Sequence, residues 1–338
     1  MRAFVTGGAG FVGSAVVRAL LAAGVEVSCL VRPTSVRTNL DGLDIDIVQG
    51  DLTDVATFAR ALRECQHLYH VAAHYSTLPQ DAEAMYATNV GGTQQVLYAA
   101  LDAGVERIVH TSTIGTIGRP HEGSLPTEVD RLTNLSSASP YARSKLEAEA
   151  FCLSLADKGA PVVVVNPCAP VGLGDLKPSS TGARIIAYLK GRRPSFLAGG
   201  INFISVEDVA AGHLLAAEHG RIGQRYILGH AEGNLMLADF FRMMESVSGV
   251  RSPSEQSHVL YRAKGLARRA FRLIKRAGAR DTAGQERHAV GPAAQPDYRP
   301  QALTADPSLA IRELGLPQTP LETAFREAIE WFRAHGYC

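Results

Sequence analysis

The first thirteen residues constrain the fold of this chain more than any other segment. An apolar stretch, Ala3 to Val5, runs directly into a glycine-rich segment, Gly7 to Gly13, and then into a helical pattern. Glycines at this spacing allow a tight turn, a close approach of the backbone to a phosphate, and close packing of a helix on a strand. The free N–H groups at the start of such a helix favour an anion. The residues predicted to contact a dinucleotide here are Gly7, Gly10, Phe11, Val12 and Gly13.

The first half of the chain alternates short apolar runs with helical patterns. The runs are rich in β-branched residues, as Val162 to Val165 illustrates, which is typical of parallel strands buried on both faces. Strand–helix–strand repetition predicts an α/β fold with a doubly wound parallel sheet of Rossmann type. Predicted strands span 2–6, 26–31, 45–49, 67–71, 106–111 and 161–165, and predicted helices span 11–23, 54–63, 82–103 and 140–158.

This regular alternation stops after residue 166 and partly returns at 201–229. We therefore expect a Rossmann domain of residues 1–165 plus about 201–229, and a smaller C-terminal substrate-binding lobe of about 166–200 and 230–338. The closing segment predicts an amphipathic helix. Its apolar stripe is Leu321, Ala324, Phe325, Ala328, Ile329 and Phe332.

Composition narrows the classes of function. A net charge of +1 gives no general attraction for nucleic acid. The five cysteines are scattered and never spaced C-x-x-C, which predicts neither a disulfide framework nor a zinc or other metal site and favours a reducing compartment. We find no signal-peptide pattern and no uninterrupted apolar run of about 18 residues. These features predict a cytoplasmic protein without a membrane span.

A second motif lies at Ser139-Pro140-Tyr141-Ala142-Arg143-Ser144-Lys145. Ser139 is suited to cap a helix and Pro140 to its first turn. Tyr141 and Lys145 then share one helix face. A neighbouring ammonium lowers the pKa of a phenol, so this pair can exchange a proton with a substrate oxygen.

The predicted strand at 106–111 ends in the hydroxyl-rich sequence Thr111-Ser112-Thr113. With the glycine loop before it and the Tyr141/Lys145 helix after it, this order resembles the extended branch of the short-chain dehydrogenase/reductase superfamily. Within that branch the chain is most similar to dihydroflavonol reductases and, in detail, to bacterial hopanoid-associated sugar epimerases. Further matching stretches are 50–52, 70–73, 89–93, 166–172, 177–182 and 204–209.

The resemblance implies a role for each matching residue. Tyr141 would be the general acid/base, Lys145 would hold the nicotinamide ribose and lower the tyrosine pKa, and Thr113 would polarise the substrate carbonyl. Ser112 is expected to point into the sheet. The remaining cofactor contacts implied are Asp51, Leu52, Val71, Ala72, Ala73 and Pro167.

The end of the second predicted strand indicates which cofactor binds. A carboxylate there would accept hydrogen bonds from a free ribose 2′-OH, but this chain has Arg32 and no carboxylate before Asp41. A guanidinium pairs well with a phosphate, and Arg37 is a candidate for a second contact. The sequence therefore favours NADP. The alternative is that Arg32 stacks on the adenine, in which case either NADP or NAD binds.

The sequence leaves two hypotheses about the substrate open. One is an NADP-dependent reductase of a ketone or aldehyde, and the other is a nucleotide-sugar epimerase or dehydratase without net cofactor turnover. Nucleotide-sugar members usually carry an Asn where this chain has Ala169, which favours the reductase. A sensor that binds dinucleotide without catalysis is disfavoured because Tyr141 and Lys145 are both present.

Two further expectations concern partners. Residues 260–280 form a basic amphipathic pattern, which fits either a solvated face or peripheral contact with an anionic membrane or substrate. The resemblance also implies a homodimer built from the predicted helices 82–103 and 140–158.

Overall fold

Short apolar strands separated by helices dominate the computed structural model, which describes residues 1–76, 78–120, 124–133, 135, 138–197, 199–252 and 302–338. The strands in these residues are β1 (Arg2–Thr6), β2 (Glu26–Val31), β3 (Asp46–Gln49), β4 (His67–His70), β5 (Arg107–Thr111), β6 (Val162–Pro167), β7 (Ala169–Val171), β8 (Ile201–Ser205), β9 (Arg225–Leu228) and β10 (Asn234–Leu235).

Seven strands form one parallel sheet in the order β3-β2-β1-β4-β5-β6-β9. This is the order of a doubly wound dinucleotide-binding sheet, in which the chain reverses direction across the sheet between β1 and β4 and leaves a crevice at their carboxyl ends. The predicted fold class is confirmed, and all six strands predicted for the first half are present with ends shifted by at most two residues.

Helices cover both faces of this sheet. Val17 of the first helix and Val209 of the seventh share one apolar cluster, while Leu97 and Leu155 lie in the cluster on the opposite face. The helices are α1 (Phe11–Ala22), α2 (Ala59–Leu62), α3 (Ala82–Tyr86), α4 (Thr93–Asp102), α5 (Pro140–Ala156), α6 (Ser180–Leu189), α7 (Val206–His219), α8 (Leu237–Ser248), α9 (Ser308–Leu314) and α10 (Leu321–Ala334).

Two predicted helices differ in detail from the structure. The segment predicted as 54–63 is a 3₁₀ turn followed by the short α2, because the Thr57 hydroxyl donates to the Asp54 carbonyl oxygen at 2.6 Å. The segment predicted as 82–103 has a π-helical turn, Ala87–Gly92, between α3 and α4. There the Thr93 hydroxyl donates to the Asn89 carbonyl oxygen at 2.6 Å. Such π turns are frequent at functional sites.

A second apolar centre lies in the C-terminal part of the chain, around a small sheet of order β10-β8-β7. The predicted apolar stripe of α10 is buried throughout. The structure differs from the predicted boundary at 201–205, because β8 pairs with β7 rather than with the large sheet. The Phe203 ring explains this pairing, because it packs among the aromatic rings of the small lobe. Its centroid lies 5.7 Å from that of Phe240 and 5.4 Å from that of Phe325. Helix α7 then packs on the large sheet, and β9 joins that sheet by pairing with β6.

Two findings concern the expectations about membranes. Within the described part of the chain, no helix combines the length and apolarity needed to span a bilayer. The basic pattern at 260–280 lies outside the described residues.

A buried histidine links β5 to α7. The His213 ring bonds to the Thr111 hydroxyl at 2.8 Å and to the Val209 carbonyl oxygen at 2.7 Å, and none of the residue is exposed. Burial lowers the pKa of His213 to about 4. The folded protein therefore holds this ring neutral at a pH where an unfolded histidine is charged.

Stability is expected to fall in acid because of His213. Between its folded pKa of about 4 and the ordinary value of about 6.5, the unfolded state binds one more proton than the folded state. Moving from pH 7 to pH 5 should lower the free energy of unfolding by about 2 kcal/mol through this residue. Urea titrations at both pH values should show a smaller loss in His213→Phe than in the wild type. An equal loss in both proteins would contradict the assignment.

Candidate active site

The glycine loop packs too closely on itself and on the segment after β4 to carry side chains. Gly7 has a φ of +73°, and a β-carbon built there would lie 2.7 Å from the Ala72 α-carbon. A β-carbon on Gly13 would lie 2.1 Å from the Gly7 carbonyl oxygen. The Gly10 N–H closes the turn by donating to that same oxygen at 2.9 Å. The loop is therefore a cradle of bare backbone, as the sequence predicts.

The start of α1 can bind an anion. Gly10 is its N-cap and supplies no side-chain hydrogen bond, and the first turn carries no acidic residue. The first N–H groups of a helix have no partner within the helix and carry partial positive charge. The donors at Phe11 and Val12, beside the cradle, fit the pyrophosphate of a dinucleotide.

The ends of β2 and β3 supply the side chains predicted for the adenosine end of the cofactor. Arg32 follows β2 directly and is exposed. Asp51 accepts hydrogen bonds from the N–H and hydroxyl of Thr53 at 2.9 and 2.7 Å. The backbone bond from Thr53 is the main cause of the lowered pKa of Asp51, and the positive charge of Arg32 contributes. Leu52 is buried, so this end of the crevice combines one apolar and two charged residues.

The segment after β4 forms the wall between the loop and the centre of the site. The Ala72 N–H donates to the Thr6 hydroxyl at 3.2 Å, and the Val71 N–H to the Thr6 carbonyl oxygen at 3.3 Å. Ala73 is exposed beyond them. Pro167 lies farther along the same carboxyl edge, where it ends β6 opposite Leu228.

Helix α5 presents the tyrosine and the lysine. The Ser139 hydroxyl caps it by accepting from the Ala142 N–H at 3.1 Å, with Pro140 in the first turn. The Tyr141 ring lies edge-on to the Tyr75 ring with centroids 4.9 Å apart. Lys145 follows one turn later and is 1% exposed.

Asn89 ties α5 to the segment that carries Tyr75. Its amide nitrogen donates to the Ser144 hydroxyl at 2.9 Å and to the His74 carbonyl oxygen at 3.0 Å, and its amide oxygen accepts from the His74 N–H at 2.7 Å. The Ser144 hydroxyl in turn donates to the Tyr141 carbonyl oxygen at 2.9 Å. These bonds fix the first turn of α5 against the wall of the site.

Thr113 stands on a short 3₁₀ turn after β5, close to the start of α5. Its hydroxyl accepts from the Gly115 N–H at 3.2 Å. A β-carbon on Gly115 would lie 3.5 Å from the Thr113 methyl group and 4.0 Å from the Ala142 β-carbon, so the turn packs beside the residue that follows Tyr141. Ser112 is buried, and its hydroxyl lies 3.4 Å from that of Thr116, which places it inside the fold.

A buried polar network beneath Thr113 was not predicted. The Glu149 carboxylate pairs with Arg225 at 2.9 Å and accepts from Thr116 and Asn166, each at 2.8 Å. The Asn166 amide also donates to the Thr113 carbonyl oxygen at 3.2 Å. Glu149 lies four residues after Lys145 and therefore on the same helix face, which is the sequence feature that could have indicated a role for it. Its partner Arg225 is 76 residues away, and no sequence feature indicated that pairing.

Comparison with known proteins decides the family. The profile of the NAD dependent epimerase/dehydratase family matches residues 3–229. The chain belongs to this family. A Synechocystis sp. protein named as a candidate dihydroflavonol 4-reductase is 38% identical over 338 residues, covering 99% of this chain and 95% of that protein.

Solved structures agree with this assignment. The crystal structure of gox2253 superposes with a TM-score of 0.81 at 36% identity, covering 99% of this chain and 98% of that one. PA4631 of Pseudomonas aeruginosa, described as a nucleoside-diphosphate-sugar epimerase, superposes with a TM-score of 0.76 at 28% identity, covering 100% and 99%. The protein is an NAD(P)-dependent oxidoreductase of the extended short-chain dehydrogenase/reductase family.

Burial governs the ionisation of the tyrosine and lysine in this oxidoreductase. It lowers the pKa of Lys145 to about 8. It raises the pKa of Tyr141 above its ordinary value, with the neighbouring Tyr75 as a second cause. Desolvation opposes the phenolate form. The expectation that Lys145 lowers the tyrosine pKa stays a prediction.

The buried ion pair between Glu149 and Arg225 leads to a prediction about the stability of the protein. Arg225→Met leaves the Glu149 carboxylate buried without its partner and is expected to cost about 3–5 kcal/mol. The matched control is Arg221→Met, because Arg221 pairs with Glu313 at 3.0 Å but is 62% exposed. That exposed pair should be worth less than about 1 kcal/mol. Chemical denaturation measures both losses, and equal losses would refute the role given to the buried pair.

Proposed function

We propose that the protein is an NADP-dependent carbonyl reductase, or alcohol dehydrogenase in the reverse direction, that uses Thr113, Tyr141 and Lys145. The backbone cradle and the free start of α1 fit a dinucleotide. A nicotinamide dinucleotide bound there would supply the hydride. The protein would supply orientation and the proton.

Each of the three side chains has a defined task in this proposal. The Tyr141 hydroxyl donates its proton to the substrate oxygen as the carbonyl is reduced. The Thr113 hydroxyl donates a hydrogen bond to the same oxygen and so stabilises the charge that develops on it. Lys145 stabilises the phenolate left on Tyr141 and hydrogen-bonds the ribose.

Tyr75 packs against Tyr141 and is 49% exposed, so the mouth of the site offers an aromatic surface beside the proton donor.

The observation that carries the choice of reductase is Ala169. It begins β7, with one residue between it and the end of β6, and is half-buried. Nucleotide-sugar members usually carry an asparagine at this position. A methyl group cannot hydrogen-bond a sugar diphosphate. A polar ligand binds much more weakly when the group that should hydrogen-bond it is missing. The dihydroflavonol reductase name of the Synechocystis relative points the same way.

A nucleotide-sugar epimerase or dehydratase with tightly bound NAD(P) is the second candidate. The family description and the P. aeruginosa structure favour it. It would use the same tyrosine and lysine for both the oxidation and the reduction, with no net consumption of cofactor.

Incubation with NADPH and a carbonyl panel, alongside a nucleotide-sugar panel, separates these candidates. Net oxidation of NADPH by a carbonyl compound is the expected result. Exchange between sugar isomers without consumption of NADPH would instead favour the epimerase and overturn the proposed reductase. Tyr141→Phe should lower the turnover at least about 10²-fold, since general acid catalysis contributes about 10²–10⁴, while NADPH binding stays nearly intact. Full activity in that variant would remove Tyr141 from the mechanism.

The choice of NADP is supported by Arg32. Its exposed guanidinium follows β2, where a 2′-phosphate would find a permanent bidentate partner. Arg32→Asp should shift the ratio of kcat/KM values toward NADH, because a carboxylate repels the phosphate and accepts from a free 2′-OH. Steady-state kinetics with both cofactors measures the ratio, and an unchanged ratio would refute the assignment.

We further propose a cytoplasmic homodimer formed by the segments 82–103 and 140–158, which contain α3, α4 and α5. In support, Tyr98 is 54% exposed and packs against Phe151 with ring centroids 5.5 Å apart, so α4 and α5 share an aromatic surface. The five cysteines, all within the described residues, form no disulfide, which suits a reducing compartment.

A further inference from the structure

Three buried basic side chains lie in a row beneath the active site. His70 and His110 are register partners on β4 and β5, with ring centroids 5.2 Å apart. The Lys145 Nζ lies 3.5 Å from the His110 Nε2. The two histidines are fully buried and Lys145 is 1% exposed.

The two histidines differ in how their hydrogen bonds are satisfied. His70 has a partner for each ring nitrogen, since Nδ1 bonds to the Thr6 hydroxyl and Nε2 to the Thr93 hydroxyl, both at 2.8 Å. His110 bonds only to Lys145, and its Nδ1 has no partner among the residues that the structure describes. The His110 ring is therefore held by packing and by the lysine.

The ionisation of the row determines which atom donates. Burial lowers the pKa of His110 well below its ordinary value and that of His70 to about 3, so both rings are neutral near pH 7. Lys145, with a pKa of about 8, is mainly protonated there. An ammonium only donates, so the His110 Nε2 must accept and its hydrogen must sit on Nδ1.

The other groups around Lys145 leave His110 as its acceptor. Its own helix contributes Cys152 and Glu149, β5 contributes His110, and β4 contributes His70. Glu149 is engaged with other partners, and within the described residues Lys145 has no salt bridge.

We propose that His110 is a positioning residue for Lys145. As a neutral acceptor it holds the ammonium in one orientation, stabilises its charged form and leaves the other two N–H donors for the catalytic site. The catalytic consequence rests on the proposed function, because it assumes that Lys145 assists Tyr141. The contact itself does not depend on that function.

The test measures the ionisation of Lys145 directly, by NMR titration of protein labelled at the lysine side chains, with the Lys145 signal identified by its loss in Lys145→Met. His110→Phe keeps a ring but removes the acceptor, so the pKa of Lys145 should fall by about one unit, a tenfold change in its ionisation constant. His110→Gln restores an acceptor oxygen and should recover most of the shift. His213→Phe is the control, because it removes an equally buried histidine from the opposite face of the sheet.

A Lys145 pKa that is the same in the wild type and in His110→Phe would overturn the proposal, as would an equal shift in His213→Phe. Should His110→Phe not fold, the wild-type protein still decides, since ¹⁵N spectra of its histidines must show His110 protonated on Nδ1 and not on Nε2. In turnover assays the alkaline limb of the kcat profile should move with the Lys145 pKa in His110→Phe. If the wild type reduces no carbonyl while the pKa shift is present, the proposed function fails and the positioning role stands.

Discussion

The close packing of the glycine loop against itself and against the segment that follows β4 is the constraint on which the site depends. The missing β-carbons at Gly7 and Gly13 let α1 begin directly over the ends of β1 and β4. This brings the free N–H groups of a helix to the carboxyl edge of the sheet, where the strand ends of β5 and β6 also lie. A phosphate cradle, a threonine and a tyrosine can thus share one crevice although they come from distant parts of the chain.

The base of that crevice is polar, and its charged groups are accommodated in two ways. The Glu149 carboxylate is held by Arg225, Thr116 and Asn166, which together satisfy both of its oxygens. The histidines of the base are accommodated by staying neutral, as the lowered pKa values of His70 and His110 indicate. Lys145 lies between these two cases, since it is buried, forms no salt bridge with a carboxylate of the described residues and has a pKa of about 8. A lysine in this state depends on its few neighbours for orientation.

In the proposed function, Thr113, Tyr141 and Lys145 would serve net reduction and isomerisation alike, so they would not select between the two. The selection would depend on what surrounds the substrate. Ala169 offers a methyl group there and Tyr75 an aromatic surface beside Tyr141, and both features support the proposal of a carbonyl compound rather than a sugar diphosphate. The fold accommodates both chemistries because the cofactor carries the hydride in each.

Features that depend on residues close together in the chain could be predicted from the sequence. The glycine loop, the Tyr141/Lys145 spacing, the buried strands and the apolar stripe of α10 are all of this kind, because backbone geometry and periodicity are local properties. Contacts between distant residues could not be predicted. Lys145 meets His110 across 35 residues and Glu149 meets Arg225 across 76, and β8 joins the small sheet through the packing of Phe203. These pairings depend on strand register and on which face each side chain occupies, and the ionisation of Tyr141 depends on its burial. Such properties are defined once the elements have packed together.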